Sequence, residues 1–120
     1  MNEKVAHFNE VPIEKFPDGE NGPKHVSIQW LLGKHEPTSN FAMRLFSVEE
    51  GGCSPLHTHF WEHEVYVISG EGTVQIGEAI HPLTAGSFAF VPPHVLHQFK
   101  NVGHSTLKFL CMVPNEAMKS

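Results

Sequence analysis

Apolar residues recur at every second position along this chain, in short runs parted by turn residues, and no stretch carries the spacing of an amphipathic helix. Side chains of an extended strand point alternately to opposite faces, so such runs bury one face each and pair into antiparallel sheets. Residues 25–32 set Val26, Ile28, Trp30 and Leu32 on one face, and residues 33–40, with Pro37, Ser39 and Asn40, read as the following loop. Further strands are predicted over 41–48, 64–69, 73–76, 79–81, 87–91, 96–100 and 106–113, with turns at 49–52, 70–72, 82–86, 92–94 and 101–105. About ten short strands without a long helix make an all-β sandwich or small barrel, which limits open sheet edges.

At 120 residues and 13.4 kDa there is room for a single domain. Folding at this size hides roughly two-thirds of the surface of the open chain, enough for a core without staples. Residues 1–24, rich in Glu, Pro, Gly and Asn, read as an N-terminal arm packed on the body or shared with a partner subunit, and residues 25–120 as the barrel domain. No apolar run approaches the roughly 18 residues of a membrane-spanning helix, so no membrane partner is expected. A net charge of −5 and a pI near 6.0 lack the positive field that gathers phosphates, which argues against nucleic acid. Cys53 and Cys111 are too few for a disulfide scaffold, and residues 1–12 hold no basic segment followed by an apolar run. A cytoplasmic protein with reduced thiols is expected.

Histidine is the compositional outlier, with 10 copies, as many as glycine. His57, His59 and His63 fall close together in Gly51-Gly52-Cys53-Ser54-Pro55-Leu56-His57-Thr58-His59-Phe60-Trp61-Glu62-His63-Glu64. On an extended strand His57 and His59 project to the same side with Cα atoms roughly 7 Å apart, a span that two imidazoles can close around one ion. Pairs of this kind also occur on exposed strands, where the histidines are merely solvated.

With its flanks, this segment resembles the first of two motifs of the cupins. That motif is a glycine, five residues, His-x-His, three or four residues, a glutamate, and six residues before another glycine; Gly51, His57, His59 and Gly70 fit. The second motif is a glycine, five residues, Pro-x-Gly, two residues, a histidine, three residues and an asparagine. Gly86, Pro92, His97 and Asn101 meet it, with His94 in place of the usual glycine. The resemblance runs over residues 41–114. It implies a cupin double-stranded β-helix, or jelly-roll barrel, of the small single-domain cupin 2 kind, built around a central metal.

The acidic ligand usual in that family would be Glu64 by its distance from His59, but only five residues then precede Gly70. Position 63 satisfies both spacings and holds histidine. Parity along an unbroken strand also sets 57, 59 and 63 on one face and 64 on the other. Residues 40–70 are similar, in addition, to a cupin subgroup with an all-histidine site often linked with manganese. The expected cofactor is therefore one divalent metal on His57, His59, His63 and His97, with Glu64 the alternative to His63 and two positions left open on a metal that prefers six ligands. By ligand softness imidazole suits Fe, Cu, Ni or Zn better than Mn, so manganese rests on the resemblance. Glu62 or Glu64 could instead orient an imidazole through its other N–H.

In the last strand the charged Lys108 should face water, which turns Leu107, Phe109 and Cys111 inward as pocket walls. Cys111 is then either a small buried hydrophobe or an oxidation-sensitive thiol beside the metal. Arg44, between Met43 and Leu45, shares a face with Ala42 and Phe46. A strand arginine points outward by default; turned inward, it could hold a carboxylate or enolate oxygen through forked hydrogen bonds. Arg44, Glu64 and Cys111 are the catalytic candidates. Phe60 and Trp61 pack around or cap the mouth and His94 sits at its rim, while His7, His25, His35, His81 and His104 match no metal spacing.

Trp30, Leu31 and Leu32, together with the arm, could bury area against a second copy, and small cupins commonly dimerise in this way, so a homodimer is expected. The resemblance and the open metal positions point to an oxidoreductase of the dioxygenase type, activating oxygen or peroxide against a small organic substrate. The rivals are a lyase or isomerase using the metal as a Lewis acid, and a binding module that senses or sequesters a small molecule or metal without turnover.

Overall fold

The computed structural model describes residues 2–119, and these are all-β apart from 3-10 turns at Phe8–Glu10 and Asn115–Lys119. Met1 and Ser120, the outer ends of the expected arm and barrel segments, lie outside the described residues. The strands are β1 (Glu14–Lys15), β2 (Lys24–Leu32), β3 (Phe41–Cys53), β4 (His63–Ser69), β5 (Gly72–Ile76), β6 (Ala79–Leu83), β7 (Phe88–Val91), β8 (His97–Asn101) and β9 (Leu107–Pro114). Every pairing between them is antiparallel, in the order β6-β5-β8-β3-β9-β4-β7, with β2 added to β3 and β1 to β2. β3 therefore serves two sheets: its first half lies between β2 and β9, and its end at Cys53 meets Lys100 of β8. The result is a single-domain, nearly closed jelly-roll barrel. Among the described residues no helix is long and apolar enough to cross a membrane.

Alternation builds the core. β9 buries Leu107, Phe109, Cys111 and Val113, and β4 buries His63, Val65 and Val67 while Glu64, Tyr66 and Ile68 face out. Asn101, closing β8, is buried too, and ties β3 to the loop between β8 and β9: its Nδ2 donates to the carbonyls of Val48 (2.9 Å) and Ser105 (2.8 Å), and its Oδ1 accepts from the Gly103 N–H (2.8 Å).

Residues 49–52 do not form the expected turn. β3 runs on to Cys53, and the register jumps from Val26↔Val48 to Lys24↔Cys53, so the extra residues bulge out of the ladder. Gly51 takes φ +78 in that bulge, and Gly52 passes so close to the Lys24 carbonyl that a Cβ would stand 2.6 Å from it. The glycines that suggested a reversal here let one strand bend from one sheet into the other.

The arm lies across its own domain. Gln29 Nε2 donates to the carbonyls of Phe8 (2.9 Å) and Val11 (3.1 Å), and the Phe16 N–H donates to the Val26 carbonyl (3.0 Å). Leu45, which pairs with Gln29 on the outer side of β3, is consequently 3% exposed.

Candidate metal centre

Four histidines converge at one end of the barrel. His57 sits in the segment after β3 and makes a lone bridge with His97, the first residue of β8: the His57 N–H donates to the His97 carbonyl (3.2 Å) and the His97 N–H to the His57 carbonyl (3.0 Å). Directly opposed residues send their side chains the same way, and the two ring centroids stand 4.8 Å apart. His59 lies flat on the Trp61 indole, with centroids 4.0 Å apart and planes within 3°. His63 opens β4 on its inward parity.

Second contacts fix which nitrogen faces the centre in two of the rings. His59 Nδ1 lies 2.8 Å from the Trp61 carbonyl and His97 Nδ1 lies 2.9 Å from the Val95 carbonyl. A carbonyl only accepts, so both Nδ1 atoms carry the proton and both Nε2 lone pairs are free for a ligand. The ligating atoms of His57, His59 and His97 lie within 4.8 Å of one another, and these three could hold a metal ion. His59 Nε2 and His63 Nε2 are 2.8 Å apart, close to the roughly 3 Å between neighbouring nitrogens that share an ion at about 2.1 Å. The donor set thus fits a transition metal that accepts imidazole.

The imidazoles are held neutral. Burial lowers the pKa of His57, with the charge of His97 adding to it, and burial also lowers that of His97. For His59 burial outweighs the opposing bond to the Trp61 carbonyl and brings the pKa to about 4; for His63 burial, reinforced by the Arg44 cation, brings it to about 2. An unfolded histidine protonates near 6.5. Between those values the open chain takes up a proton that the folded His63 refuses, so this contribution to stability is intact above pH 6.5 and is lost as the pH falls below it. Metal-free protein should therefore lose up to about 1.4 kcal/mol per pH unit on His63's account. Denaturant unfolding at pH about 7.5 and about 5 checks this, with His63→Gln flattening the dependence; equal stability at the two values would refute it.

The remaining expected residues divide. Arg44 turns inward: it pairs with Cys111 across β3 and β9, and its Nη2 lies 3.0 Å from Cys111 Sγ and 3.3 Å from His63 Nδ1. Its guanidinium rests near the rings of Phe46 (4.9 Å) and Trp30 (5.6 Å), which shelter the cation in place of water. Cys111 is buried, 3.0 Å from His63 Nδ1, and burial raises its thiol pKa against the opposing pull of Arg44. Phe109 lines the cavity. Leu107 does not: it is fully buried in the hydrophobic core, with its side chain against Gly72. Glu64 is a correction as well. It pairs with Phe90 and Met112 on the outer face of the sheet and is exposed, so it neither ligates nor reaches the centre. Glu62 does not line the cavity either. Phe60 is half exposed and meets Trp61 edge-on, while Trp61 itself forms wall. His94 contributes through its backbone, its N–H donating to the His59 carbonyl at 2.7 Å.

The histidines open onto a cavity of about 340 Å³ whose other walls are chiefly apolar, among them Phe46, Phe99 and Phe109. Phe16 and Pro23 of the arm complete it. Nothing in the local pattern of the arm announced that role; strand alternation governs only residues within the sheet.

Comparison with known proteins agrees with this architecture. A family profile described as "Cupin domain" matches residues 44–113. An oxalate-binding protein of Thermotoga maritima is 30% identical over 113 residues, covering 91% of this chain and 92% of that protein. A 1-methylthio-D-xylulose 5-phosphate methylsulfurylase of Rhodospirillum rubrum is 34% identical over 77 residues, covering 64% of this chain and 49% of that enzyme, so the match spans about half of the relative's length. Among solved structures, the polyketide cyclase RemF of Streptomyces resistomycificus superimposes with a TM-score of 0.84 at 27% identity, covering 94% of this chain and 80% of that one.

Proposed function

Because this chain belongs to the cupin family, we propose that it is a metal-dependent oxidoreductase, with one divalent ion held by His57, His59, His63 and His97 at the mouth of the cavity. The observation that carries this reading is the pair of Nε2 atoms freed by the Trp61 and Val95 carbonyls: ligand atoms of His59 and His97 lie with one of His57 within 4.8 Å of one another, and His63 Nε2 stands 2.8 Å from His59 Nε2. A redox-active ion bound there would supply electron exchange with dioxygen or peroxide; manganese is the first choice and iron the second. The protein's own part is to keep four imidazoles neutral, hold them on paired backbone, and present a small carbon skeleton to the centre in a cavity with apolar walls.

A lyase or isomerase route would want a general base; Glu64 is exposed, and among the described residues that line the cavity none is Asp or Glu to act as one. A second reading, a module that binds a small molecule without turnover, is favoured by the end-to-end likeness to an oxalate-binding protein. Elemental analysis with electron paramagnetic resonance on untagged, cell-purified protein decides between them. Manganese or iron near one per chain supports the oxidoreductase, zinc turns the reading toward Lewis-acid chemistry, and protein free of metal overturns it in favour of the module.

A further inference from the structure

We propose that Arg44 receives the negatively charged group of the ligand, and that the cavity takes a small organic anion of the carboxylate or enolate class, its charged oxygens lying between the guanidinium and the imidazole cluster. The proposal rests on the metal reading above for the second anchor of that anion and for the loss of Arg44's acceptor on His63; the cavity's charge and its unmet donors stand without it.

The first observation is a charge imbalance. Among the described residues that line the cavity Arg44 is the one permanent charge, and none is Asp or Glu. A guanidinium does not give up its proton, so it cannot escape the cost of a low-dielectric site by neutralising. Any dication on neutral imidazoles adds to the same sign. An anion from outside is what restores balance.

The second observation is where unmet donors sit. Among the described residues the buried side-chain nitrogens and oxygens without a partner are Arg44 Nε and Trp61 Nε1. Both are donors, and both belong to residues lining this one cavity. Buried polar groups are normally satisfied, so two orphaned donors beside one cavity call for an acceptor-rich occupant.

The third concerns His63. His59 Nε2 is an acceptor, so His63 donates to it from Nε2, and His63 Nδ1 is then free to accept from Arg44 Nη2. Ligation through Nε2 reverses this: the proton moves to Nδ1, where Cys111 Sγ at 3.0 Å can accept it, and Arg44 loses its imidazole acceptor. The guanidinium is left with a single neutral sulfur contact at 3.0 Å. A planar two-oxygen group matches its forked donors, and the volume suits a ligand of a few carbons.

Calorimetric titration of oxalate into manganese-loaded and metal-free protein tests this, with oxamide as the neutral isostere and inorganic phosphate as the competing anion. Oxalate should bind the wild type, oxamide should bind far more weakly, and Arg44→Gln should weaken oxalate by about 30-fold or more while Arg44→Lys restores part of the loss. Metal content and unfolding midpoint of both variants are measured alongside. If the protein takes up no metal, the oxidoreductase reading fails by itself, and the metal-free arm judges Arg44: oxalate binding lost in Arg44→Gln upholds the proposal. Equal oxalate affinity in wild type and a folded Arg44→Gln overturns it, as does oxamide binding as well as oxalate, phosphate binding more tightly than oxalate, or no oxalate binding at millimolar concentration.

Discussion

If the four histidines hold an ion as proposed, His97→Ala should lower divalent-metal affinity by more than about 100-fold, beyond what loss of a group merely orienting a ligand costs. The ring is buried at 2% exposure, opens β8, and is aimed by its Nδ1 bond to the Val95 carbonyl. Its loss leaves a gap that the nearby side chains are not placed to fill: Glu64 lies on the outer face, and His59 and His63 are fixed by their own contacts. The backbone bridge between His57 and His97 needs no side chain, so the barrel should fold and the loss should read as metal loss alone. Metal per chain after dialysis, with circular dichroism for the fold and Glu64→Ala as the control that keeps its metal, makes the measurement. Full occupancy in a folded His97→Ala protein would remove the ion from these four residues.

The largest stability effect should come from Gly70→Ala. This residue turns the chain from β4 into β5 at φ +90, and a Cβ there would stand 2.5 Å from the Thr106 carbonyl and 2.8 Å from Leu107 Cα. Neither is the free end of a flexible side chain, so the turn or the start of β9 must give way. We expect a loss of about 3 kcal/mol or more, with a fall in Tm of about 10 °C or more. Gly77→Ala separates conformation from contact: φ there is +62 and nothing lies within 4 Å of the added carbon, so about 1 kcal/mol is expected. Equal losses in the two variants by chemical denaturation would show that steric closure at Gly70 is not what matters.

Gly70 also shows what the chain discloses before it folds. Alternation locates the strands to within a residue or so at most ends, because core strands such as β4 and β9 keep one face inside and a slip would turn that face to water. Spacing placed the two histidine segments together, since a motif fixes the distance between turn and ligand. Parity was less secure than it looked. Residues 58–62 are not a strand, so an unbroken ladder does not carry the alternation from His59 to His63; His63 faces inward because β4 begins there and Val65 and Val67 follow it. Arg44 escaped for another reason. Its company with Ala42 and Phe46 on one face was visible, but the default for a charge is water, and only the folded barrel brings Trp30, Phe46 and Cys111 to shelter it. His94 is a similar case: where the motif has glycine it adopts φ +68, so the backbone of the turn is kept and the strain is borne locally.

Two pieces of the cavity wall, Phe16 and Pro23, precede the barrel proper, and few bonds hold them: the Phe16 N–H to Val26, the Gly19 N–H to the Pro23 carbonyl, and the His25 N–H to Asp18 Oδ1. The imidazole cluster and this part of the cavity wall thus belong to separate segments of the chain. Exchange of some twenty leading residues would resize the admitted molecule while leaving every imidazole where it stands. By the same logic a fusion partner placed ahead of this segment should perturb the cavity wall before it perturbs the histidine cluster, which sets a practical limit on where an affinity handle belongs.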